Sequence, residues 1–258
     1  MELSNTVVRR WWLIAVVAIA LSLSVPTVPG QTRGQHTAKD RILAAAIKGL
    51  SSRDELERSD AIVTLFNLGK TAIPPLIDLV RDWANKYPPN RIHAPCPEGD
   101  YSECEEFYRI VERRRTDAIK LLGQLHAVEA VPLLIAIMGL EGSRPFGWYY
   151  GPEQDALVEI GKEAVPQLLD EMRRAEESRQ TSVDSLQANA VADKIEERIA
   201  MVLGNIGDPG ALPLLEELSG KLTSLAPRSF VETAIREIKE RQTLRQSAVP
   251  KTIRKPKQ

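Results

Sequence analysis

The chain has 258 residues, with 34 basic and 35 acidic side chains and a formal net charge of −1 at pH 7. That balance excludes a protein that holds nucleic acid by bulk positive charge, and three histidines are too few for most hydrolytic or metal constellations. Hydrophobic residues make up 43% of the chain, enough for one extended domain of stacked units.

At the amino terminus, Arg9 and Arg10 precede an apolar run from Trp11 to about Leu23, and the turn-forming Val25-Pro26-Thr27-Val28-Pro29-Gly30 follows. This is the order of a secretory signal. The run falls short of the about 20 apolar residues that a spanning helix needs. Residues 1–30 are therefore expected to be a signal cleaved near Gly30, with a retained membrane anchor as the alternative and a twin-arginine route as a variant of export. Either form of export makes the chain periplasmic or secreted.

Residues 31–241 repeat one phrase: an apolar helical run, a Gly, a polar step, then Ala-apolar-Pro and a second apolar run. It reads Ala61, Ile62, Leu65, Leu68, Gly69, Ala72, Ile73, Pro74, Leu76 in the first copy and Ala118, Ile119, Leu122, Gly123, Ala130, Val131, Pro132, Leu133 in the second. The third gives Ala156, Leu157, Ile160, Gly161, Ala164, Val165, Pro166, Leu168, and the fourth Ala200, Leu203, Gly204, Ile206, Gly207, Asp208, Pro209, Ala211, Leu212, Pro213. Steps of three and four residues give each helix one apolar face. Gly is expected to end the first helix of each pair, and Pro is tolerated in the first turn of the second. Recurrence at this length marks units that cannot bury their faces alone and must stack.

The fourth copy, Leu203-Gly204-Asn205-Ile206-Gly207-Asp208-Pro209-Gly210-Ala211-Leu212-Pro213, resembles the HEAT-like repeat first named for phycobilisome lyases. The resemblance covers most of residues 54–241. It implies an all-α, right-handed α-solenoid of about four helix pairs with terminal capping helices. It brings no catalytic residues, because the recurring positions serve packing and turns.

Pro132 to Pro166 is the shortest interval between copies, so extra chain lies near 83–109 and 175–190, and the connection near 139–152 joins them as the remaining link between helix pairs. In a stack of helix pairs such insertions emerge along one rim. The first holds both cysteines, Cys96 and Cys104. In an exported chain a disulfide is the simplest reading of the pair. A metal site with His93, both thiolates and Asp100 or Glu103 is the alternative.

Outside the amino-terminal segment, every aromatic residue except Phe66 and Phe230 falls in the first two insertions. Trp83, Tyr87, Tyr101, Phe146, Trp148, Tyr149 and Tyr150 are the partner-binding candidates, since Trp and Tyr offer large area at low entropy cost. Packing of these rings on the repeats is the competing reading. The third insertion reads as a solvated extension, and acidic residues such as Glu159, Asp170, Glu171 and Glu196 read as outward helix positions.

His126 reads as a solvated turn residue, and spacing assembles no catalytic triad, nucleophile elbow or phosphate-cradling loop. At the carboxyl end Ser229 to Arg241 reads as a capping helix with Ser229 as its cap. Residues 242–258, which carry Arg245, Lys251, Arg254, Lys255 and Lys257, read as a disordered basic tail. The expected function is an exported, non-catalytic scaffold that binds another protein and needs no cofactor. A lyase-type or chromophore-handling subunit, suggested by the family name alone, and a membrane-anchored envelope component are the alternatives.

Overall fold

The computed structural model describes residues 37–86, 101–140, 151–181, 186–222 and 225–248, and only the backbone at 101–108, 139–140, 180–181, 186–188 and 248. Backbone contacts divide the chain into residues 1–37 and 38–258, and the elements below all belong to the second part. Every regular element among the described residues is helical, so the fold is all-α. The helices are α1 (Ala38–Gly49), α2 (Glu55–Leu68), α3 (Ile73–Lys86), α4 (Tyr101–Gln124), α5 (Val131–Leu140), α6 (Pro152–Ile160), α7 (Val165–Thr181), α8 (Leu186–Ile206), α9 (Leu212–Lys221) and α10 (Leu225–Ala248).

The phrase does its expected work in the turns. Single 3-10 turns at Gly69–Ala72, Val128–Ala130, Gly161–Ala164 and Pro209–Ala211 lead into α3, α5, α7 and α9. Each turn ends on a fully buried alanine, Ala72, Ala130, Ala164 or Ala211. Pro74, Pro132, Pro166 and Pro213 then fall in the first turn of the next helix, where a missing N–H costs nothing. Other starts are capped: Asp54 accepts from the N–H of Leu56 at 2.8 Å, and Asp208 from that of Gly210 at 2.7 Å.

The glycines have two roles rather than one. Gly69, Gly161 and Gly207 end their helices with φ of 58°, 82° and 70°, a conformation in which a side chain is strained. The equivalent place after α4 is taken by His126 at φ 49°. Gly123 and Gly204, expected to end their helices, instead lie inside α4 and α8, three residues before that turn. There they admit the next helix. A side chain at 123 would begin 2.7 Å from Ala156 Cα, and one at 204 would begin 3.1 Å from Ala234 Cα. Gly49 stands in the same relation to Ala61, whose Cβ would lie 2.8 Å away.

Two series of helices result. α2, α4, α6, α8 and α10 each touch the next, while α3 touches α5, α5 touches α7, and α7 meets the turn before α9. One apolar cluster runs through both series, from Ala46 to Ile238, with Leu65, Leu76, Leu122, Leu134, Leu157, Leu168, Leu203 and Leu215 buried in it. Burying each such leucine is worth about 1.5–3 kcal/mol, so the cluster accounts for the pairing.

Several boundaries move. Trp83–Lys86 and 101–109, expected in an irregular insertion, extend α3 and α4, while 175–181 continue α7, in line with the helix extension read for the third insertion. α10 starts at Leu225, so Ser229 lies within it and caps nothing, and it continues to Ala248 past the expected end at Arg241. Among the described residues one stretch, 55–86, has the length and hydropathy of a membrane span. It is broken at Gly69 into α2 and α3, whose Leu65, Leu76 and Val80 are buried in the cluster.

Candidate interaction site

α2 is apolar on more than the face it buries. Ala61 and Leu65 enter the core, whereas Leu56, Val63 and Phe66 are 77%, 54% and 48% exposed. Residues 55, 59, 62 and 66 form one row along the helix, and 56, 60, 63 and 67 the adjoining row. Ile62, Val63 and Phe66 therefore make a continuous patch. With Gln124 at the end of α4, His126 in the following turn and Glu159 on α6, they line an open groove of about 570 Å³.

The groove follows from which junctions hold glycine. Phe66 and Val158 stand three residues before Gly69 and Gly161, where α4 and α8 place Gly123 and Gly204. α2 accordingly touches α4 over a shorter stretch than α4 touches α6. Gly123 also sets the position of Glu159, because a side chain at 123 would begin 2.6 Å from Glu159 Oε2. His126, holding a left-handed backbone without glycine's freedom, forms the far lip. The lining thus offers apolar surface with one carboxylate, one amide and one imidazole at its edge.

A second constellation stands where the first two insertions join the helices. Arg115 on α4 is 1% exposed, and its guanidinium carbon lies 4.1 Å from the centroid of the Trp83 ring on α3. The guanidinium also pairs with Glu153 on α6, itself 1% exposed, and with Glu112 at 3.1 Å. Glu153 lies in the first turn of α6, where a carboxylate is favoured. Gln154, the next residue, accepts from the N–H of Gly151 at 2.5 Å. These contacts tie α3, α4 and α6 together.

A third cluster joins α7 to α8. Arg179 pairs with Asp193 and Glu196, each at 2.6 Å, and with Glu176. Glu196 is 0% exposed, which corrects its expected outward position: α8 turns this residue into the contact with α7, where Arg179 meets it. Burial pushes its carboxyl above the usual range, against the pull of Arg179 and with help from Glu176 and Asp193. On α4, burial likewise raises Asp117, opposed by Arg58 of α2, whose Nε lies 3.4 Å from the carboxylate.

Of the aromatic candidates, Trp83 is half-buried, packed against Arg115 and the core. Tyr101 is the first residue of α4, with its side chain outside the described residues. Tyr87, Phe146, Trp148, Tyr149 and Tyr150 also lie outside them, as do Cys96, the side chain of Cys104, the metal candidate His93, and residues 1–30. The backbone of Cys104 is helical, in the first turns of α4. Among the described residues no three or more of His, Cys, Asp and Glu gather to hold a metal ion.

The groove on α2 was not anticipated, since Phe66 reads as an ordinary repeat residue. The signal for it is the wide spread of apolar residues on the helix: Leu56, Ile62, Val63, Leu65, Phe66 and Leu68 occupy more than one face. No protein-family model matches the chain, and no characterised protein matches it in sequence.

Proposed function

We propose that this chain is a non-catalytic protein-interaction module, its helix pairs stacked as a right-handed HEAT-like α-solenoid and working outside the cytoplasm. One observation carries the binding reading: Val63 and Phe66, neighbours on α2, stand exposed together over a groove of about 570 Å³, while most large apolar residues are buried in one cluster. Leu56 of the same helix aside, the other exposed ones, Ile42, Val191, Leu225 and Leu244, lie on other helices. Contiguous apolar surface edged by polar groups marks sites where another molecule docks. The stacked-pair reading is supported by the two helix series, the recurrent buried alanine and proline of each turn, and the glycine junctions. Location outside the cytoplasm is supported by Arg9, Arg10 and the apolar run Trp11 to Leu23. Mass spectrometry of the mature amino terminus tests the cleaved form: a chain starting near Gln31 supports cleavage and export. Intact Met1 in the membrane fraction supports the retained anchor instead, while intact Met1 in the soluble cytoplasmic fraction opposes export.

Photo-crosslinking in the source cell tests the function. With a benzophenone side chain placed at Phe66, a discrete adduct with one other protein is expected. A matching adduct only from Trp148, with none from Phe66, would shift the binding surface to the aromatic loop. Adducts from neither position would contradict an interaction role.

A further inference from the structure

We propose that the groove between α2 and α6 takes a basic peptide segment carrying bulky apolar side chains. The inference rests on the groove's being the partner surface, and adds the chemistry of what enters it. The two helical rows that present the apolar lining also present acids. Glu55 shares a row with Ile62 and Phe66, and Asp60 lies one turn before Val63. All three acids of α2, Glu55, Glu57 and Asp60, are exposed. On the opposite wall, Asp155 and Glu159 are exposed one turn apart on α6, which has no basic residue.

The exposed cations on these elements and their adjoining turns are Arg53 and Lys70 at the two ends of α2, Arg109 and Lys120 on α4, and Lys162 after α6, and Asp54 and Glu163 add exposed acids in the same turns. Arg58 is engaged with Glu55 at 3.5 Å and Asp117 at 3.4 Å. An incoming Lys or Arg therefore meets net negative charge on both walls, while an incoming carboxylate is repelled. The volume suits a few side chains of an extended or helical segment rather than a folded domain. A second open groove, on α10, mixes Glu232 and Glu240 with Arg236 and Lys239 and so favours neither sign.

Fluorescence anisotropy with the full chain tests this, using labelled peptides of Lys and Leu or of Glu and Leu at helical spacing. The Lys/Leu peptide is expected to bind at least tenfold more tightly than the Glu/Leu peptide, and to weaken as salt rises. Phe66→Ser should cost about tenfold and Asp60→Asn with Glu159→Gln about threefold, whereas Leu244→Ser on α10 should change nothing. If the Glu/Leu peptide binds as well and is lost with Phe66→Ser, the groove stands and the basic occupant is wrong. If neither peptide responds to Phe66→Ser, the groove itself is not the binding surface and both readings fall.

Discussion

Ala156 sits against the bare backbone of Gly123, its Cα only 2.7 Å from where a side chain at 123 would begin. The contact lets α6 close on α4 and puts the Glu159 carboxylate at the groove. Gly123→Ala must push the two helices apart, which overpacking costs place at about 1–3 kcal/mol. Gly220 on α9 has nothing within 4 Å of the equivalent point, so Gly220→Ala is expected to be neutral or to stabilise by up to about 1 kcal/mol through helix propensity. Urea unfolding of the two variants should move the midpoint in opposite directions, or leave only the second unchanged.

His126 holds φ 49° where the other turns use glycine. Relieving that conformation outweighs the added freedom of an unfolded glycine, so His126→Gly is expected to stabilise by about 0.5–1 kcal/mol. Thermal unfolding checks this, and a fall in Tm would mean that the imidazole makes a contact worth more than the strain.

Removing Arg115 leaves Glu153 buried without this guanidinium partner and Trp83 without its cation. Arg115→Met is expected to destabilise by about 3–5 kcal/mol. The double variant Arg115→Met/Glu153→Gln should recover part of that loss, because no buried charge remains. Denaturant melts of the two single variants and the double form the required cycle.

The raised carboxyl of Glu196 gives a signed pH dependence. The folded chain binds that proton more tightly than the unfolded chain, whose value is near 4.5. Its contribution to stability therefore rises as pH falls through the folded value toward 4.5, and is a penalty above it. Wild-type Tm should gain on going from pH 7 to pH 5 relative to Glu196→Gln, in which nothing titrates at that position. Parallel pH profiles of the two chains would refute the assignment.

The helix pairs were legible because their signals are local: small residues before an apolar-Pro step, as in Ala164-Val165-Pro166, specify a turn and the start of a helix. What glycine does at 123 was not legible, since a helix-ending glycine and a close-approach glycine look alike until the neighbouring Ala156 is placed. Glu196 was misread for a related reason. Its burial depends on Arg179 of another helix, and helical spacing within α8 does not reveal it. The groove lay hidden because Phe66 fits the repeat rhythm, and only the looser junction between α2 and α4 leaves it uncovered.

The central claim, that partners are bound where α2 faces α6, is tested most directly by amide hydrogen exchange of the full chain with and without saturating Lys/Leu peptide. Slowed exchange is expected at 55–68, 120–126 and 152–160, with no change at 212–222. Slowing confined to 186–248, or none at any position, would contradict it.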